Sequence, residues 1–450
     1  MAFGCVIMKK KDLKYTVEVG SGVVWLIMKR IAENKWFVVG LCFLMVMVSL
    51  GFASSTKSLF PDEIAKDLGV ERSLVAIGES CRYIATAVVN IFFGFLITKC
   101  GPKKLICAGF FSLTLSMLLY SLADNLILIY VAGTLLGVGF SWTTTTMVGY
   151  VVGLWCSENK GTIMGLVLAS NGLGGAIAIQ LAGGLIDPTV TGSYRDAYRM
   201  IAAVLCVTGV LILLLFRDKK DNAAEVKPSS KNAKKRGQDW VGISFSEAKR
   251  KFYFWGALVC IFLSGLTLQG TNGIVAMHFK DVGIDYGAVK ALLSFGSIIL
   301  ASAKFLTGFV YDRAGLRVTA TTCTLIAAVS VLLLAAIKGN EIGFVLAIVY
   351  MVIAQYALPL ETIMLPIYAS DLFGQRSYAK ILGLFVSVNT AGFAVGAPFM
   401  NLCYDLFGSY VPSLILVGCL MLGVLILLQF VISAAHREQK RVENQIELQK

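Results

Sequence analysis

Residues 294–315 read SFGSIILASAKFLTGFVYDRAG. Seventeen apolar or small residues, interrupted by one charge at Lys304, run into the polar loop Asp312-Arg313-Ala314-Gly315. At 1.5 Å per residue, an apolar helix of about 20 residues crosses a hydrocarbon layer of about 30 Å. The stretch therefore reads as a membrane-spanning helix. Lys304 would sit about 20 Å from its outer end and about 10 Å from its inner end. An ionisable group at that depth costs roughly 2.5–3.5 kcal/mol on insertion scales. Such a charge either snorkels to the interface or faces a protein interior with something negative to hold.

The rest of the chain repeats this pattern. Of 450 residues, 57% are hydrophobic and 15% charged. That composition excludes a soluble globular domain of this size. Twelve apolar runs lie near 36–56, 74–97, 105–123, 126–154, 162–186, 200–216, 253–277, 291–311, 318–337, 343–369, 381–403 and 411–434. The expected class is an all-α integral membrane protein of twelve helices in two six-helix bundles. Thirty of the 40 Lys and Arg fall in 1–35, in 217–252, in 435–450 and in alternate short loops, against 7 in the opposite loops. This bias predicts that both termini are cytoplasmic in a multi-pass protein of the cell (plasma) membrane. It accounts for the net charge of +13 by contact with anionic lipid, without nucleic acid. The expected domains are a basic segment 1–35, a bundle 36–216, a basic cytoplasmic linker 217–252, a second bundle 253–434 and a tail 435–450.

The two halves align with each other. Gly94-x-x-x-Thr98-Lys99-Cys100-Gly101-Pro102 matches Gly308-x-x-x-Asp312-Arg313-Ala314-Gly315-Leu316 at an offset of 214. At an offset of 218, Trp155 meets Phe373, Gly165 meets Gly383, Asn171 meets Asn389, Gly174 meets Gly392 and Asp187 meets Asp405. A constant offset over several helices is the mark of an internal duplication. Lys304 has neutral Asn90 as its counterpart.

Three cations and two anions lie in or near the spans: Lys57, Arg82, Lys304, Glu79 and Glu361. Glu79 and Arg82 are three residues apart on one helix and can pair. The remainder is positive, which favours an organic anion as ligand. Lys57 lies at the outer end of the first span and has an interfacial reading as well. Glu361 lies between Pro359 and Pro366, where the helix should kink. Glu79 and Glu361 are the candidates for carrying a proton. Candidate polar partners are Asn90, Tyr150, Gln269, Asn272, Gln355 and Tyr356. The hydroxyl run Thr143–Thr146 suits bonding to its own backbone carbonyls. Gly133-x-x-x-Gly137 and Gly392-x-x-x-Gly396 read as packing motifs. His278, at an outer helix end, reads as interfacial. With two His, no nucleophile–base pair and no metal spacing, neither an enzyme nor a metal or cofactor site is expected.

The Gly-x-x-x-Asp-Arg-x-Gly-x-Arg loop resembles the signature of the major facilitator superfamily. The resemblance covers residues 36–434 and implies two bundles with a substrate site between them, open alternately to each side. It assigns Gly94, Gly101, Gly308, Asp312, Arg313 and Gly315 to the gating motif; the first copy has Thr98 where the second has Asp312. A closer resemblance is to the monocarboxylate transporter and oxalate:formate antiporter group. The first span ends in Lys57-Ser58, like the Lys-Ser motif of the monocarboxylate transporters. ASAKFLTGFVYDRAG is similar to the eighth helix of both, which carry arginine where this chain has Lys304. Leu300 replaces the monocarboxylate family's aspartate, and the antiporter's eleventh-helix lysine has no counterpart near Asn389. The expectation is a secondary transporter of a small organic anion, functional as a monomer and driven by protons or a counter-anion. An exporter of another small molecule or a membrane anion sensor is the alternative. The fifth span lacks the Gly-Pro pair expected of drug exporters.

Overall fold

The computed structural model describes residues 34–56, 60–70, 72–156, 158–186, 190, 192–218 and 242–448. Lys57, Ser58, Asp187 and most of the segments 1–35 and 217–252 lie outside this set. Among the described residues all regular structure is helical.

The first bundle begins with α1, an α-helix Lys35–Val46 that continues as a π-helix over Met47–Phe52. A short helix, Pro61–Leu68, follows it and ends at left-handed Gly69. Helix α2 is Arg72–Ile91 and Phe93–Cys100, bent by 62° at Phe92. Helix α3 is Pro102–Ser121. Helix α4 is Leu126–Thr143 and Thr145–Trp155, broken at Thr144. Helices α5 (Lys160–Leu185) and α6 (Tyr194–Leu215) complete it.

The second bundle opens with α7, Phe252–Asp281. A continuous run Tyr286–Ala336 of 51 residues follows. A straight helix of that length would extend about 77 Å, over twice the hydrocarbon thickness. It divides at Gly315, whose φ of 83° and ψ of 176° are not helical. We call the two parts α8 (286–314) and α9 (316–336). Helix α10 is Glu341–Gln355, a 3-10 turn Leu358–Glu361 and Met364–Phe373, interrupted around Pro359 as expected of that proline. Helices α11 (Tyr378–Phe407) and α12 (Val411–Leu448) finish the fold. Among the described residues, ten helices are long and apolar enough to span a membrane, or eleven with bent α2. The division at Gly315 gives the twelve expected.

Gly315 also makes the duplication visible in the backbone. Its counterpart Gly101, 214 residues earlier, has φ 78° and ψ 161° and precedes α3 as Gly315 precedes α9. Side-chain-bearing residues hardly enter that region, so both loops require glycine.

The bundles meet through α5 against α8 and α2 against α11. A Cβ on Gly308 would strike the Gly161 backbone, and one on Gly165 the Lys304 carbonyl. On the other pair, Gly94 faces Lys380 and Gly383 faces the Asn90 carbonyl. Tyr378 Oη donates to the Gly149 carbonyl at 2.9 Å. Several of these contacts lie toward the end that carries the Gly101 and Gly315 loops, here called the loop side. The bundles are closed against each other there. The packing motifs behave as expected: Gly133 approaches the Gly78 carbonyl, Gly137 that of Arg82, and Gly392 and Gly396 the backbone of α7.

Candidate functional site

Lys304 is buried, 4% exposed. Side chains on a helix lean toward its N-terminus, so Lys304 reaches away from the loop side. Its Nζ donates to Asn171 Oδ1 of α5 at 3.2 Å, across the bundle interface. Glu361 of α10 lies near enough for the two charges to act on each other. Among the described residues, no carboxylate comes within the 4.0 Å that defines an ion pair with Lys304.

Glu361 is likewise buried, 6% exposed. Its Oε2 accepts from Gln269 Nε2 of α7 at 2.7 Å. Its Oε1 has no hydrogen-bond partner among the described residues. The break around Pro359 puts Glu361 in the 3-10 turn rather than in a regular helix. Its backbone carbonyl, freed from the helical ladder, accepts from Asn389 Nδ2 at 3.5 Å. Helices α5, α7, α8, α10 and α11 thus converge on one polar cluster: Asn171, Gln269, Lys304, Glu361 and Asn389. Sequence reasoning named Gln269, Lys304 and Glu361 as site candidates. It noted Asn171 and Asn389 only as repeat partners. Their signal was an amide inside an apolar helix, which in a membrane needs a partner.

The other candidates separate from this cluster. Arg82 is buried and forms an ion pair with Glu79 at 2.6 Å, as their spacing predicts. Its guanidinium stands 4.4 Å from the Tyr83 ring centre and 5.5 Å from that of Phe140, while its Nε has no partner among the described residues. Asn90 is engaged within the first bundle: it donates to the Thr86 carbonyl at 2.9 Å and accepts from Thr146 Oγ1 at 3.0 Å. Thr143 and Thr144 bond back to the carbonyls of Gly139 and Phe140, as expected of hydroxyls in a helix. Tyr150 meets Phe93 edge-on at 6.2 Å. Asn272 and Gln355 line a second crevice, with Thr271, Ser330 and Tyr350, inside the C-terminal bundle. Tyr356 is half-buried beside Gln355 in sequence. Lys57 lies outside the described residues. His278 differs from its interfacial expectation: it is buried, 2% exposed, with Nε2 3.1 Å from the Leu334 carbonyl. The close-packed end of α9 covers it, which a position in sequence does not reveal.

Of the residues assigned to the gating motif, Asp312 forms a brace on the loop side. Asp312, buried at the end of α8, accepts from the backbone N–H of Gly161 at 3.1 Å and of Thr162 at 2.7 Å, and from Thr162 Oγ1 at 2.6 Å. These are the free donors at the start of α5, where a helix N-terminus favours negative charge. Arg313 is exposed and stacks on Phe309 at 4.2 Å. Thr98, the counterpart of Asp312, donates to carbonyls of its own helix at Gly94 and Phe95. The brace therefore joins α8 to α5 without an equivalent from Thr98.

Residues 41–358 and 257–450 each match the family model of the Major Facilitator Superfamily. The chain is 24% identical over 296 residues to the uncharacterised transporter YcxA of Bacillus subtilis (64% of this chain, 68% of the relative). It is 25% identical over 345 residues to monocarboxylate transporter 13 of Rattus norvegicus (74% of each chain). The crystal structure of the Escherichia coli fucose:proton symporter FucP superposes with a TM-score of 0.69 at 17% identity, covering 89% of this chain and 99% of that one. The fold, the loop-side brace and these matches agree: the chain is a multi-pass membrane protein that belongs to the major facilitator superfamily of transporters.

Proposed function

We propose that this transporter moves a small organic anion, a monocarboxylate, by alternating access between its two bundles. The observation that carries the reading is Lys304: a buried ammonium at the bundle interface, neutralised by no carboxylate within ion-pair distance among the described residues. A substrate carboxylate supplies the missing charge, and the bundles close around it. The resemblance to monocarboxylate transporter 13 supports this class.

Proton symport is the coupling mode favoured over anion exchange. Glu361, near Lys304, has one carboxylate oxygen bonded to Gln269 and the other without a hydrogen-bond partner among the described residues. A carboxyl so placed can take a proton when the substrate engages the lysine and return it when the substrate leaves. Glu79 is committed to Arg82, so Glu361 is the better carrier. Arg82, Asn90 and Tyr150 then serve the first bundle's architecture more than the substrate. The charge bias of the loops supports cytoplasmic termini and a plasma-membrane setting, and the protein acts as a monomer.

The test is uptake into liposomes by the purified protein, with labelled mono- and dicarboxylates, with and without a pH gradient. Saturable monocarboxylate uptake, accelerated by an acidic outside, is expected. Uptake of neutral sugars or organic cations with no carboxylate uptake would sink the reading.

A further inference from the structure

Lys304 Nζ has three N–H donors, and one goes to Asn171 Oδ1. The other two have no hydrogen-bond acceptor among the described residues. The amide of Asn171 is oriented by this contact, because only its oxygen can accept from an ammonium. Its Nδ2 is left with two N–H donors that have no acceptor among the described residues. Asn171 is half-buried, so these donors are not sealed in the protein.

An ammonium makes a point contact, whereas a carboxylate offers two oxygens with about four lone-pair sites. We propose that Asn171 is a second substrate-contacting residue, its Nδ2 and Lys304 Nζ forming a two-donor clamp on a carboxylate. The proposal rests on the anion reading above and deepens it. One arm belongs to α5 and the other to α8, so the clamp exists only while these helices are together. A bound carboxylate then favours the bundle arrangement seen here. The related Asn389 is engaged differently: one of its Nδ2 hydrogens goes to the Glu361 carbonyl, and its Oδ1 has no partner among the described residues. Of the pair, only Asn171 is bonded to Lys304.

If Asn171 merely holds the cation at 304 through its oxygen, an arginine there needs the same hold and the loss should persist in full. If it supplies a donor, a second donor on residue 304 should replace it, and an arginine provides one in a planar fork. The experiment is a double-mutant cycle with Asn171→Ala and Lys304→Arg. It is read by calorimetric binding of acetate, lactate, pyruvate and benzoate to the purified protein. Asn171→Leu, of similar volume but without a donor, guards against a packing defect. We expect both Asn171 variants to weaken binding about 10-fold or more, the loss of one charge-assisted hydrogen bond. In the Lys304→Arg background the loss should shrink to less than about 3-fold. Equal losses in both backgrounds, or no loss in either, would overturn the clamp. A wild-type protein that binds none of the four would instead overturn the anion reading itself.

Discussion

Asp312 and Thr162 are joined by two hydrogen bonds across the bundle interface, one to the Thr162 amide at 2.7 Å and one to its hydroxyl at 2.6 Å. With the Gly161 amide as third donor, the carboxylate ties α8 to the start of α5. Hydrogen bonds to a charged group contribute about 1.5–3 kcal/mol each. The brace therefore favours the state closed on the loop side. Asp312→Asn should shift the population toward opening there by roughly 10-fold or more. Spin-label distances between the loop-side ends of the bundles measure the shift; unchanged distributions would contradict the assignment.

The close approach beside the brace has its own consequence. Gly308 and Gly161 pack backbone to backbone, and a Cβ on either falls on the other helix. Gly308→Ala should therefore disfavour the same closed state while leaving the helices intact. The cost is about 1–3 kcal/mol, the usual range for overpacking. Reactivity of single cysteines at the loop-side interface should rise in this variant. Gly183→Ala, where nothing lies within 4 Å, should not produce that rise.

Much of this fold can be read from the chain, and particular residues show why. Apolar runs of bilayer length identify the spans, and the offset of 214 places Gly101 and Gly315 in equivalent turns, where they share a backbone conformation. Pro359 gives away the break in α10. The bend at Phe92 and the break at Thr144 carry no proline, so the sequence does not announce them. The site was half legible. Lys304 and Glu361 stand out because a charge in an apolar helix needs a reason. Asn171 does not, because a neutral amide gains its meaning only from the residue opposite. Arg82 stood out for the same reason as Lys304, and only the geometry shows it facing Glu79, Tyr83 and Phe140.

That distinction predicts different phenotypes for the two buried cations. Arg82→Ala removes the 2.6 Å ion pair with Glu79 and a ring-stacked guanidinium from the core of the first bundle. A loss of about 1.5–3 kcal/mol of stability is expected. It should appear as a lower unfolding midpoint in detergent, with carboxylate affinity changed far less than in Lys304 variants. A large affinity loss at unchanged stability would return Arg82 to the substrate site.

Glu361 and Gln269 test the coupling. Glu361→Gln cannot take up and release a proton, so accumulation driven by a pH gradient should disappear while exchange of internal for external carboxylate continues. Gln269→Leu removes the 2.7 Å donor to Oε2 and should move the pH midpoint of uptake. Removing a donor to the ionised form raises a carboxyl's proton affinity, so the midpoint should move to higher pH. Gradient-driven accumulation that survives Glu361→Gln would remove this residue from proton transfer.

The central claim is that Lys304 holds the substrate's negative charge. It is tested most directly by saturable uptake of labelled lactate or pyruvate in liposomes, comparing wild type, Lys304→Ala and Lys304→Arg at equal amounts of folded protein. The account predicts that Lys304→Ala abolishes uptake and that Lys304→Arg, which keeps the charge, retains it. Uptake by Lys304→Ala with unchanged affinity and rate would contradict it.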